Sequence, residues 1–149
     1  MKTFNVIEYL KKEPFDIDEF LVMIGRAELL SPEKEIALVE KAQQGDEEAM
    51  NLLLWSKARF VTNLVRQYQN KETSIQELLY VGMLALRNAV VEYNVHSEDP
   101  LIKFAVPQMR EALEKLYKDI KMNTLISNKL NQLNKKTRNI IDIYYVYGD

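Results

Sequence analysis

The stretch that most constrains the fold is IQELLYVGMLALRNAVVEY, residues 75–93. Ile75, Leu78, Leu79, Gly82, Leu86, Ala89, Val90 and Tyr93 recur at the i, i+3, i+4, i+7 spacing of one helix face, and Ser74 or Thr73 is placed to cap the start. A second stripe, Tyr80, Met83, Leu84, Arg87 and Val91 with Val81 beside it, is also mostly apolar. A helix that is apolar on two faces is either buried all round within its own fold or covered by a partner, and both readings stay open here. Residues 1–19, an N-terminal helical extension, could fold back over the second stripe and close it.

The rest of the chain follows the same period. In SPEKEIALVEKAQQGD, Ser31 is an N-cap with Pro32 at the first helical position, Ile36 and Val39 open an apolar stripe, and Gly45 is placed to end the helix in a left-handed conformation. Asp46 then caps a segment in which Glu47 and Glu48 meet the positive end of the helix dipole. Met50, Leu53, Leu54, Val61, Leu64, Val65 and Tyr68 continue one face, with a break expected near Lys57. Only four Gly and four Pro in 149 residues leave few turns, so an all-α fold is expected rather than a strand-rich one.

Asp99 and Pro100 form a further start signal before a stripe at Val106, Met109, Leu113, Leu116 and Ile120. Pro107 falls inside that segment, where it removes a backbone hydrogen bond and its ring strikes the carbonyl of Lys103, which predicts a kink or a restart. The tail reads as a linker helix, a cap at Asn134 and a last helix through Ile140, Ile141, Tyr144 and Tyr145 that ends at Gly148.

A net charge of -2 argues against a generally basic nucleic-acid binder, but the charge is blocked along the chain. Residues 57–71 carry Lys57, Arg59, Arg66 and Lys71 with no acid, between acidic blocks at 31–56 and 72–101. Solvated helix faces account for such blocks more readily than a nucleic-acid footprint does. The chain has no cysteine, which rules out disulfides and thiolate chemistry and fits a cytoplasmic protein. No signal peptide and no run of about 20 apolar residues is present, so no membrane partner is expected. His96, the single histidine, falls in a polar connection, and no Gly-rich phosphate loop, Ser/His/Asp set or HExxH spacing is found. Neither an enzyme nor a cofactor or metal site is expected; Trp55 and the eight tyrosines are read as packing.

Three stretches resemble the primary-type sigma factors of bacterial RNA polymerase. FLVMIGRAELLSPEKEIALVEKAQQGDEEAMNLLLWSKARFVTNLVRQYQN is similar to the segment that leads into the family's promoter-recognition domain. TSIQELLYVGMLALRNAVVEYN is similar to the helix with which the family grips a coiled coil on the largest polymerase subunit, and NQLNKKTRNIIDIYYVYGD resembles the opening helix of the domain that reads the upstream promoter element. The resemblance implies a sigma region 2-like helical bundle over residues 20–120 with its preceding helix, and a C-terminal helical extension over 121–149. It also implies that the chain stops at Asp149 before a helix-turn-helix is complete.

The departures from the family pattern are specific. Glu77, Leu78, Leu79 and Gly82 fit the polymerase-gripping helix, whereas Tyr80, Val81, Met83 and Arg87 replace the usual Gln, Glu, Asn and an apolar residue or Met. The expected partner surface is therefore Glu77, Leu78, Tyr80, Val81, Met83, Leu84 and Arg87, facing RNA polymerase core, a transcription regulator, or a second copy of the chain in a homodimer. In DPLIKFAVPQMREAL, residues 99–113, the family carries an aromatic and basic segment whose rings stack on flipped bases and open the promoter. Here Asp99, Pro100 and Leu101 replace the first trio, Pro107 and Gln108 replace a tryptophan pair, and Glu111 and Glu114 fall where duplex DNA would be faced. Lys103, Phe104 and Arg110 are the residual nucleic-acid contacts, which implies weak or no binding of promoter DNA.

Overall fold

The computed structural model describes residues 4–136, and among them every regular element is helical. In order these are α1 (Val6–Tyr9), α2 (Ile17–Ile24), α3 (Pro32–Gln43), α4 (Glu47–Ser56), α5 (Ala58–Val65), a 3-10 turn (Arg66–Tyr68), α6 (Ile75–Glu92) and α7 (Leu101–Lys136). The chain divides into two units, residues 1–116 and residues 117–149.

Local chemistry sets the helix ends. Ser31 accepts a hydrogen bond from the Lys34 amide with Pro32 at the first position of α3, and Asp46 accepts from the Ala49 amide at the start of α4. Between them Gly45 takes φ +98°, which lets its own amide reach the Ala42 carbonyl and the Asp46 amide reach that of Lys41. This double closure satisfies carbonyls that α3 would otherwise leave open. The break expected near Lys57 is present: Lys57 is at once the C-cap of α4 and the N-cap of α5. Ser74, rather than Thr73, caps α6 by accepting from the Glu77 amide.

The second apolar stripe is explained in part by where α6 sits. It packs against α1, α3, α4 and α5, so Leu78, Leu79, Gly82, Met83, Ala85, Leu86, Ala89 and Val90 are all buried. Gly82 is what lets α5 come close: a Cβ there would stand 3.0 Å from Val65 Cγ1 and 3.1 Å from Val61 Cγ1. Gln43 of α3 reaches across and donates to the carbonyls of Val90 (2.9 Å) and Tyr93 (2.6 Å), which pins the end of α6.

The N-terminal extension is part of this core. Val6, Ile7 and Leu10 are buried, and Phe4, Tyr9 and Phe15 join Phe20 and Trp55 in an aromatic cluster whose closest pair, Phe4 and Trp55, is 4.6 Å apart. Trp55 is thus a packing residue, and His96 is exposed in the connection before α7.

Three sequence expectations are corrected. Ile36 does not share the burial of Val39; it is 39 % exposed. No helix restarts at Pro107, because α7 runs through it, with the proline on the exposed side of the helix. Nor is there a separate linker helix or a cap at Asn134, since α7 continues to Lys136. The last helix expected through Ile140, Ile141, Tyr144 and Tyr145 lies outside the described residues.

Candidate partner-binding surface

The seven residues expected to meet a partner do not share one face. Leu78 and Met83 are completely or almost completely buried and belong to the core, because the helical period turns them inward. Met83 read as surface only because its neighbours in the second stripe are. Tyr80, Val81, Leu84 and Arg87 are half-buried and Glu77 is exposed, and with Val91, which is 56 % exposed, they form the outward strip of α6.

Two hollows flank this strip. On one side a groove of about 360 Å³ opens between Val81, Leu84 and Asn88 of α6 and Gln108, Glu111 and Lys115 of α7. On the other, a cleft of about 320 Å³ lies between Glu77 and Tyr80 and the N-terminal residues Leu10, Lys11 and Glu13. Gln76 holds that side together by donating from Nε2 to the carbonyls of Leu10 (2.7 Å) and Lys12 (2.8 Å). Residues 4–19 therefore border the strip and leave Tyr80, Val81 and Leu84 accessible. Lys11, Glu13 and Lys115 were missed by sequence reasoning, because only the fold brings them beside α6; Asn88, on α6 itself one turn after Leu84, was also missed.

Arg87 is not a loose cation. Its guanidinium pairs with both carboxylate oxygens of Glu47, at 2.9 and 3.1 Å, across the gap between α6 and α4. The pair turns a basic residue of the strip into a neutral, directional one.

The residual nucleic-acid residues are also engaged internally. Phe104 is half-buried and packs on Tyr93, with ring centroids 5.7 Å apart. Lys103 pairs with Asp99 one turn earlier, at 3.1 Å. Arg110 donates to Gln67 Oε1 (3.1 Å) and to the Tyr68 hydroxyl (3.2 Å). In the acid-free block 57–71, Lys57 is paired with Glu35 and Arg59 donates to the Gly25 carbonyl, so part of its charge is spent inside the fold. Among the described residues no group of three or more His, Asp or Glu is placed to hold a metal, and no helix is long and apolar enough to cross a membrane.

Two tyrosines on the inner side of this architecture hold their protons above the ordinary phenol value of 10.0. Tyr93 does so through burial first and then the nearby carboxylates of Glu35 and Asp99; its hydroxyl donates to the Asp99 carbonyl. Tyr9 does so through burial and its hydrogen bond to Glu19 (3.1 Å).

The described residues thus form an all-helical bundle whose central helix presents a mixed apolar and polar strip. Sequence comparison gives that class its relatives. Residues 20–48, which run from α2 into α4, match the family model for Sigma-70 factor, region 1.2. The chain is 27 % identical over 105 residues to the RNA polymerase sigma-28 factor of Bacillus thuringiensis subsp. kurstaki, covering 70 % of this chain and 44 % of that one. It is 25 % identical over 126 residues to RNA polymerase sigma factor SigA of Listeria monocytogenes, covering 82 % and 34 %, and equally to SigA of Clostridium acetobutylicum, covering 82 % and 33 %. The chain is similar to these sigma factors over 70–82 % of its length and spans a third to less than half of theirs.

Proposed function

We propose that this chain is a sigma-like factor of transcription initiation that binds RNA polymerase core, or a factor associated with it, through the outward strip of α6, and that it does not open promoter DNA itself. The similarity to sigma factors supports the polymerase as partner. The strip supports the mode of contact: Tyr80, Val81 and Leu84 supply apolar area, and Glu77 and Asn88 supply polar rims.

The observation that carries the second half of the reading is the packing of Phe104. It is the one aromatic left in the segment 99–113, and its ring is turned onto Tyr93 rather than held free for a base. Stacking is worth about 1–3 kcal/mol per base, so a segment without a free ring has little with which to hold an unpaired strand. Glu111 and Glu114, both exposed, add repulsion toward phosphate.

The test is promoter opening with purified core polymerase and this chain, read by permanganate reactivity of unpaired thymines. No reactivity above core alone is the expected result. Reactivity equal to that with the organism's main sigma factor would replace this reading with that of a working minimal sigma factor.

A further inference from the structure

The second half of α7 carries an apolar stripe that the polymerase reading does not use. Met122, Leu125, Ile126 and Leu130 are each about half exposed, and the helical period gathers them within an arc of about 140°. Apolar residues exposed together on one face mark a contact, whereas scattered ones need no explanation. The turns that carry them are basic, with Lys118, Lys121 and Lys129 against Asp119 alone in residues 117–133. The groove between α6 and α7 in the bundle has the opposite charge. Val81, Leu84, Ala85 and Ala112 give it an apolar floor with exposed Asn88 and Glu111 at its edges. Residues 72–116, which include both its walls, hold seven acids against four bases.

We propose that this groove seats the α7 stripe of a second copy of the chain, and that two copies exchange the contact both ways as a dimer. Charge favours this occupant: a basic stripe meets an acidic groove. Stripe against stripe is the poorer pairing, because Lys129 falls inside the arc of the stripe and two such helices would bring like charges together. The lengths also agree, since Met122 to Leu130 rises about 12 Å and Val81 to Asn88 about 10 Å along their helices. Each copy supplies one groove and one stripe, so a closed pair makes the contact twice and leaves neither apolar surface open. Val81 and Leu84 belong to the outward strip of α6, and the dimer therefore covers part of the surface offered to polymerase. That consequence rests on the function proposed above; the dimer itself does not.

Sedimentation velocity of the full chain, with no polymerase present, tests the dimer, so the two readings fail separately. A reversible monomer–dimer equilibrium in the micromolar range is expected. Two variants at exposed positions locate the contact: Ile126→Glu/Leu130→Glu alters the stripe, and Asn88→Lys/Glu111→Lys makes the groove edge basic, with helical content by circular dichroism unchanged in both. Each should weaken association at least about tenfold on its own. An equimolar mixture of the two should associate more tightly than either alone, because the intact groove of one variant still meets the intact stripe of the other. A chain that stays monomeric throughout, a dimer that only the stripe variant breaks, or a mixture no more associated than its components overturns the proposal.

Discussion

The ring of Phe104 lies 5.7 Å from that of Tyr93, tilted by 54°, and this contact joins the start of α7 to the end of α6. It gives the Phe104 ring a packing role within the bundle. Phe104→Ala is therefore expected to act on stability, lowering it by about 2 kcal/mol in urea unfolding, since a half-buried ring loses both area and an aromatic partner. Affinity for single-stranded promoter DNA should not change. A variant of native stability with weakened DNA binding would show that the ring serves DNA after all.

Gly82 tests the central helix. Gly82→Ala gains helix propensity of about 1 kcal/mol but pushes a methyl against Val65 and Val61, and overpacking of this kind costs about 1–3 kcal/mol. The net effect should be destabilising by about 1 kcal/mol. Because Val65 Cγ1 is the atom met, Val65→Ala combined with Gly82→Ala should be less destabilised than the sum of the two changes. Strict additivity would mean that the close approach is relieved elsewhere.

Gln76→Ala releases the carbonyls of Leu10 and Lys12 from their shared donor. We expect a loss of about 1–2 kcal/mol and faster amide exchange confined to residues 4–16, with α4 and α6 still protected. Uniform acceleration across the bundle would contradict the view that this side chain acts on the N-terminal segment.

The alkaline limb of stability should report Tyr9 and Tyr93. Both hold their protons more tightly in the folded chain than in the unfolded one, so their contribution is complete below pH 10 and is lost as the pH rises through the higher folded-state values. In a spectrophotometric titration Tyr9 and Tyr93 should ionise above the ordinary phenol value, and Tyr93→Phe should remove one of these late steps.

Much of this architecture was legible from the sequence, because capping and helical period are local. Ser31, Asp46, Gly45 and Ser74 each act where their neighbours predict, and the break expected near Lys57 is where α4 gives way to α5. The reading failed where the outcome depends on what a helix faces. Met83 and Tyr80 are both apolar and three positions apart, yet one is buried and the other is not, because α6 is enclosed on all sides but one. Pro107 predicted a kink or a restart on intrinsic grounds; the restart does not occur, because the proline lies on the exposed side of a helix anchored by buried Met109 and Leu113. The pairing of Arg87 with Glu47, forty residues apart, left no trace in the local sequence.

The central claim is that the outward strip of α6 docks on RNA polymerase, and a competition experiment reaches it most directly. Labelled chain is titrated with core polymerase from the same organism, with and without its main sigma factor, alongside Tyr80→Glu, which changes an accessible strip residue and leaves the buried Leu78 and Met83 intact. The account predicts saturable binding that the main sigma factor displaces and that Tyr80→Glu weakens at least about tenfold, as loss of an aromatic anchor does at other interfaces. Absence of binding at micromolar concentration, or binding indifferent to both the competitor and the substitution, would contradict it.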